Sequence, residues 1–312
     1  GGTPSCVDSD LICDLLREIT SKFSIDPDLS EITIEVNPHS ITLEKASSYL
    51  KAGFNRVSMG VQSLQDDVLK ILGRLHDSTM AKKAIDILKE AGFKNISCDL
   101  MLGIPGQTYE QLLEDAKYLV SKGINHVSMY SLSIEEGTLF EKRYPRLDEI
   151  VPEDLERKMY HGLRDYLNSN GIVPYEISNC GVEGKESIHN NSYWKGYEYY
   201  AFGAGAHGYL KGIRFGHADD IEKYIANPTY ICVEEELTSE DKIGEFCMLQ
   251  LRTSSGINRS EFYSRFGAEL DELYKDVIDT NIKNGLLEDD GNSVKLTDKG
   301  LDLANLVFED FL

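Results

Sequence analysis

The stretches EITIEVNP (31–38), RVSMGVQS (56–63) and NISCDLMLGIP (95–105) alternate apolar and polar residues with the two-residue period of a β-strand. Ile32, Ile34 and Val36 share one face of the first, and Thr33, Glu35 and Asn37 the other. In the second, Val57, Met59 and Val61 oppose Ser58, Gly60 and Gln62. In the third, Ile96, Cys98 and Leu100 oppose Ser97, Asp99 and Met101. Parallel strands covered on both faces are normally apolar on both. Here each strand places a hydrogen-bonding side chain near its C-terminal end: Glu35, Gln62 and Asp99. That is the end where barrel-type α/β enzymes build their sites. For any one of them the alternative is a singly satisfied interior polar group or a register off by one, and agreement among three strands weighs against it for the set.

The intervening stretches carry helical periodicity: SDLICDLLREITSKF before the first strand, then TLEKASSYLKAG, QDDVLKILG, TMAKKAIDILKEAG and YEQLLEDAKYLVSKG, followed by a further strand HVSMYSLSI (126–134). Helices ending in AGF, AGF and KGI put glycine just past the last turn. Strands alternating with helices over short connections predict an α/β fold with a parallel sheet, open or curled into a barrel. Beyond residue 150 the pattern changes to an α+β mixture, with a helix in PEDLERKMYHGLRDYLNSNG and strand-like VPYEISN and AFGAGAHGYL. The last eighty or so residues hold helices, a hairpin turning at Asp290-Gly291 and a final helix, which predicts a winged-helix-like module. The expected domains are 1–150, 151–232 and 233–312.

A net charge of −21 excludes a protein that wraps nucleic acid, because phosphate neutralisation needs clustered Lys and Arg. The C-terminal module is itself markedly acidic, so it reads as a packing or interaction domain. No run of about eighteen apolar residues is present to span a membrane, and no charged-then-apolar leader occurs. The six cysteines form no CxxC pair and no framework, so they read as reduced thiols of a cytosolic protein and supply no metal site.

Among motifs, AFGAGAHG contains a literal GxGxxG at Gly203, Gly205 and Gly208, but an extended, glycine-broken YLKGIRFGH follows instead of a helix. A dinucleotide site is therefore rejected; the glycines permit close approach of another strand or a flat ligand. His189 in ESIHNNSYWKG, beside Tyr193 and the only tryptophan, suits either a structural aromatic cluster or a ligand for a metal or heme iron. His207 is ambiguous in the same way. Arg74, in LGRLHD, is either a surface arginine or a guanidinium clamping a carboxylate at the barrel mouth. No nucleophile–base arrangement stands out, and no catalytic residue is assigned.

Together, GGTPS, EITIEVNP, AGFNRVSMGVQSLQDDVLKILGRLHD, NISCDLMLGIPGQT, HVSMYSLSIEEGT, YEISN, HNNSYW and GAGAHG resemble, in order and spacing, the oxygen-independent coproporphyrinogen III oxidase family of the radical S-adenosylmethionine (SAM) superfamily. The likeness covers essentially the whole chain, and HNxxYW with GAGAHG points to its heme chaperone (HemW) branch. The resemblance implies a partial (β/α)6 barrel, then the α+β extension and the winged-helix-like domain. It implies that Gly2 and Thr3 meet the amino-acid end of SAM, that Glu35, Gln62, Arg74 and Asp99 line the SAM pocket, and that the backbone around Ser133 completes it. His189 becomes the candidate heme ligand. Heme is then the cargo, respiratory heme proteins the clients, and the cytoplasm, near the membrane, the location. The alternative within the family is oxidative decarboxylation of coproporphyrinogen III to protoporphyrinogen IX; outside it, a pure binding module.

One departure is plain. The family holds a [4Fe–4S] cluster on CxxxCxxC upstream of GGGTP, and this sequence contains no such motif and begins inside GGGTP. The expectation is an N-terminally truncated chain, lacking the first barrel strand and the cluster ligands that the full-length parent carries.

Overall fold

The computed structural model describes residues 2–26, 29–145 and 150–312. They fall into two compact units, the first comprising Gly2–Pro174 and Ser178–Ser187, the second Tyr175–Ile177 and Ile188–Leu312.

In the first unit, β1 (Thr33–Val36), β2 (Arg56–Gln62), β3 (Ile96–Leu102) and β4 (His126–Ser131) form a parallel sheet in chain order. The sheet continues antiparallel through β6 (Asn179–Gly181) to β5 (Val173–Pro174) at its far edge. Helices α1 (Ser9–Lys22), α2 (Leu43–Ala52), α3 (Asp66–Ile71), α4 (Ser78–Ala91) and α5 (Tyr109–Ser121) precede or connect the parallel strands. This is the mixed α/β fold with a parallel sheet that the alternation of strands and helices predicts, with four parallel strands among the described residues.

The helices form where the sequence supplies caps. Asp8, Thr42, Asp77 and Thr108 each accept a first-turn backbone N–H, which satisfies donors that the helix itself leaves orphaned. Gly53 and Gly92 close α2 and α4 in the left-handed conformation, as the AGF stretches predict. The apolar strand positions form the core: Ile34, Val36, Val57, Met59, Val61, Cys98, Leu100 and Val127 are buried. Each large side chain there contributes about 1.5–3 kcal/mol by leaving water.

The two ends of the parallel sheet differ. At the N-terminal end, Ser97 Oγ and His126 Nδ1 lie 2.7 Å apart and both residues are buried. Burial, reinforced by the nearby Arg56 charge, pushes the His126 imidazole down to about 3, so it is neutral at physiological pH. The C-terminal end is open and polar.

In the second unit, β7 (His207–Leu210), β8 (Ile213–His217) and β9 (Ile231–Glu236) form an antiparallel sheet. After it come a helix Ser239–Leu251, β10 (Ile257–Asn258), helices Arg259–Phe266 and Leu270–Lys283, and the hairpin β11 (Leu287–Asp289) and β12 (Ser293–Leu296). β10 pairs with β12, completing the winged-helix arrangement. Asp290 builds the wing's turn by accepting from the N–H groups of Asn292 and Ser293. Phe246, Cys247, Phe262, Ile278, Val294 and Phe311 fill this module's own core. Arg259 forks to Asp271 and Asp289, tying the third helix to the wing.

Candidate functional site

At the C-terminal ends of β1, β2 and β3, Thr3, Glu35, Asn37, Ser58, Gly60, Gln62, Arg74 and Asp99 line one cleft of roughly 210 Å³. Strand pairing explains the convergence. Glu35 is the register partner of Ser58, and Asp99 that of Ser128 on β4, so polar positions on adjacent strands sit side by side. Thr3 is brought in by the chain N-terminal to α1: Asn37 Nδ2 donates to its Oγ1 at 2.8 Å, and Lys45 Nζ donates to the Ser5 carbonyl at 2.7 Å.

The cleft's electrostatics are unequal. Burial, with the Glu35 charge beside it, pushes Asp99 up to about 6, against the pull of the Ser128 and Ser58 hydroxyls and the Arg56 charge. Burial lowers Arg74, and the Asp99 charge offsets part of that. Two carboxyl groups and one guanidinium thus face a small polar space, suited to a ligand carrying its own carboxylate and cationic centres.

Gln62 has φ +65°, a left-handed conformation costly for a non-glycine residue. It follows a bulge: Met59 pairs with Cys98, and the next pair is Gln62 with Leu100, so β2 carries one extra residue. Gly60 makes room for the resulting turn. A Cβ there would lie 2.9 Å from Gln62 Nε2 and 3.4 Å from Asn37 Oδ1.

Two residues that sequence patterns did not single out hold this strained corner. Asp115, buried on α5, accepts from Ser63 Oγ at 2.7 Å, from the Leu64 N–H at 2.9 Å and from Gln65 Nε2 at 2.7 Å. Burial raises its carboxyl, and these three donors pull it back down. His76, also buried, donates from Nε2 to the Val61 carbonyl at 3.0 Å, two residues from Arg74. A signal for Asp115 does exist: Leu112, Asp115, Ala116 and Leu119 are the buried face of α5, and a carboxylate inside an apolar helical stripe requires a partner.

Not every expected residue joins the cleft. Gly2 adjoins Thr3 with φ +93°, and no atom lies within 4 Å of where its Cβ would stand. Ser133 lies just past β4 and lines a different cleft with Leu132, Ile134 and Glu136.

In the second unit, HNxxYW forms a seven-residue helix, Ile188–Trp194. His189 is exposed on it, its ring edge-on to Tyr193 at 4.7 Å; Tyr193 in turn stands edge-on to Tyr199 at 4.6 Å. Arg252 covers the Trp194 ring at 4.7 Å. Trp194 Nε1 is buried with no hydrogen-bond partner among the described residues. The GxGxxG glycines lead into the β7–β8 hairpin, where Gly208 pairs with Phe215 and a Cβ would run into that ring. Gly208 thus accommodates a neighbouring strand, the first of the two roles expected of these glycines.

The donors needed for an iron–sulfur cluster are a different matter. Among the described residues, no group of three or more His, Cys, Asp or Glu could hold a metal ion. Cys13, Cys98 and Cys247 are buried, and burial raises each thiol, which keeps them protonated and poor ligands. The cluster does not fit the described residues.

Comparison with known proteins gives concordant results. The radical SAM superfamily model matches residues 1–119, and the HemN C-terminal domain model matches 237–303. The heme chaperone HemW of Lactococcus lactis is 38% identical over 315 residues, covering 100% of this chain and 83% of that protein. The corresponding proteins of Bacillus subtilis and Escherichia coli are 36% and 30% identical, each over 100% of this chain and over 84% and 82% of their own lengths. The solved structure of E. coli coproporphyrinogen III oxidase (HemN), a radical SAM enzyme, superposes with a TM-score of 0.84 at 19% identity, covering 100% of this chain and 76% of that one. That likeness is one of fold.

Proposed function

The chain belongs to the HemW family of heme chaperones within the radical SAM superfamily, and from that premise we propose that it binds heme and SAM and delivers heme to respiratory apoproteins. The observation that carries the heme part is the exposed His189 imidazole, presented by a short aromatic helix and braced edge-on by Tyr193. A neutral imidazole is a common ligand for heme iron.

The cleft at the strand ends supports the SAM part. Arg74 would take the ligand's carboxylate, while Glu35 and Asp99 would face its cationic groups. Thr3, Asn37 and Gln62 offer hydrogen bonds around them. SAM, when bound, supplies a carbon–sulfur bond activated by the sulfonium charge. The protein's own contribution is to orient the ligand and to hold Asp99 ionised against it; a cationic ligand selects the carboxylate form, so binding releases the proton.

Respiratory heme proteins as clients, and a cytoplasmic place near the membrane, belong to the same proposal. Among the described residues no helix is long and apolar enough to cross a membrane. The test is transfer. Heme-loaded protein mixed with an apo respiratory cytochrome should yield the cytochrome's spectrum, with loss of the donor's own. Failure to load heme, or heme retained by the donor in the presence of apo-cytochrome, contradicts the reading.

A further inference from the structure

The β7–β8–β9 sheet of the second unit has a bare edge. On the β7 side a bridge between Tyr199 and Tyr209 covers part of the outermost strand. On the other side β9 (Ile231–Glu236) pairs with β8 alone among the described residues, and all six of its residues are exposed. Such an edge presents main-chain N–H and C=O groups that another strand can complete. We propose that an extended segment of a partner protein, basic at one end and apolar at the other, adds to β9 as a further strand.

The edge is fixed in place before any partner arrives. His217 is the register partner of Ile231, and its ring nitrogens lie 3.3 and 3.2 Å from the carbonyl oxygens of Tyr230 and Ala201. Past the other end of β9 the Leu237 N–H donates to the Gly212 carbonyl at 3.1 Å. Between them Cys232 Sγ donates to the Gly216 carbonyl at 3.4 Å, and Glu235 pairs with Arg214 on β8. A strand held along its length is a preformed template, so the protein loses little freedom when a segment docks on it.

The side chains define the partner. Tyr230, Ile231 and Val233 are exposed, and the short helix Ile221–Ala226 that leads into β9 exposes Ile221 and Ile225 one turn apart. Glu234 and Glu236 are exposed as well, and among the described residues the only ion pair on β9 is that of Glu235. The strand is therefore apolar in its first half and acidic in its second. Directly opposed side chains attract when both are apolar or when their charges are opposite, and repel when the charges are alike. An antiparallel partner thus needs Lys or Arg opposite Glu236 and Glu234, then β-branched residues opposite Val233 and Ile231. A run of glutamates alone would serve to blunt the edge against aggregation, but a blunted edge does not carry exposed Ile231 and Val233. A second copy of this chain would bring a further net charge of −21, and the acidic half turns like-charged strands away.

The test uses a dye-labelled, acetylated peptide Lys-Thr-Lys-Val-Thr-Ile, its counterpart with Glu for both Lys, and a form of the first N-methylated on its four central residues. Binding to the full chain is read by fluorescence anisotropy, and hydrogen exchange follows the β9 amides. The lysine peptide should bind saturably and slow exchange over Ile231–Glu236. The glutamate peptide should bind about tenfold more weakly or worse. The N-methylated peptide keeps the charges but cannot donate to the ladder, and it should not bind. Combining Glu234→Lys with Glu236→Lys should reverse the preference between the first two peptides. Both residues are exposed, so the double variant should unfold at nearly the wild-type midpoint. No binding of the lysine peptide, equal binding of its N-methylated form, or an unreversed preference in the double variant overturns the proposal. A wild type that sediments as a dimer, with β9 exchange slowing as protein concentration rises, would give the edge to a second copy and overturn it as well.

Discussion

The strand-end cleft and the HNxxYW helix present their key side chains in opposite ways. Glu35, Gln62 and Asp99 each come from a different strand of one hydrogen-bonded sheet, and buried Asp115 and His76 fix the backbone on either side of Gln62. His189 sits exposed at the start of a helix of only seven residues, its ring edge-on to Tyr193. The first arrangement is built into the core, so altering it changes stability and binding together. The second is laid on the surface, where the ligand-binding residue can be removed with little effect on the fold.

The largest stability effect should come from the cleft's buried brace. Asp115→Ala removes three accepted hydrogen bonds and leaves the Ser63 hydroxyl and Leu64 N–H without their acceptor. It should cost about 2–4 kcal/mol in urea unfolding and weaken SAM binding as Gln62 leaves its left-handed conformation. An unchanged unfolding midpoint would break the contrast between the two regions.

Asp99 should behave in the opposite sense. Its carboxyl is raised from the ordinary 3.8 to about 6 in the fold, so the native state holds this proton more tightly than the unfolded chain does. That contribution to stability is complete below pH 3.8 and is lost as pH rises through about 6; at neutral pH the ionised group is a net cost. Asp99→Asn should therefore stabilise the ligand-free protein at pH 7, by about 1–3 kcal/mol in thermal or urea unfolding. The same change should weaken SAM binding. In the wild type, SAM affinity measured calorimetrically should fall as pH drops through about 6, and in Asp99→Asn that dependence should vanish.

Gly60→Ala sharpens the distinction further. The added methyl meets the end of the flexible Gln62 side chain, so the stability cost should stay below about 1 kcal/mol. Displacing Gln62 narrows the cleft, and SAM binding should weaken about tenfold. Equal affinities for Gly60→Ala and the wild type would remove Gln62 from the ligand's surroundings.

This contrast also governs what the sequence made legible. Strand alternation identified Glu35 and Asp99 because a period of two assigns each residue a face from its position in the strand alone. Gln62 was reached by the same count, although the bulge after Met59 breaks the period and its place in the cleft depends on a turn that alternation does not describe. Arg74 follows α3 in a loop, where the sequence left a surface arginine and a carboxylate clamp both open and the resemblance favoured the second. Asp115 and His76 act through distant partners, fifty-two and fifteen residues away along the chain, and no local pattern encodes such pairings. Ser133 depends on loop geometry and lines a separate cleft. In the second unit, the hairpin and helices of the winged module were readable from turn chemistry and periodicity. The edge-on ring series of His189, Tyr193 and Tyr199 was not, because it joins a helix to a residue beyond its end.

His189→Ala should have the smallest effect on stability, within about 0.5 kcal/mol of the wild type, as expected for an exposed side chain. It is also the most direct test of the account. Heme titrated into the wild type should give a saturable, ligand-shifted Soret band, and His189→Ala, equally stable, should lose or visibly alter that band. A wild type that shows no saturable band, or a variant whose spectrum and stoichiometry match the wild type, would contradict it.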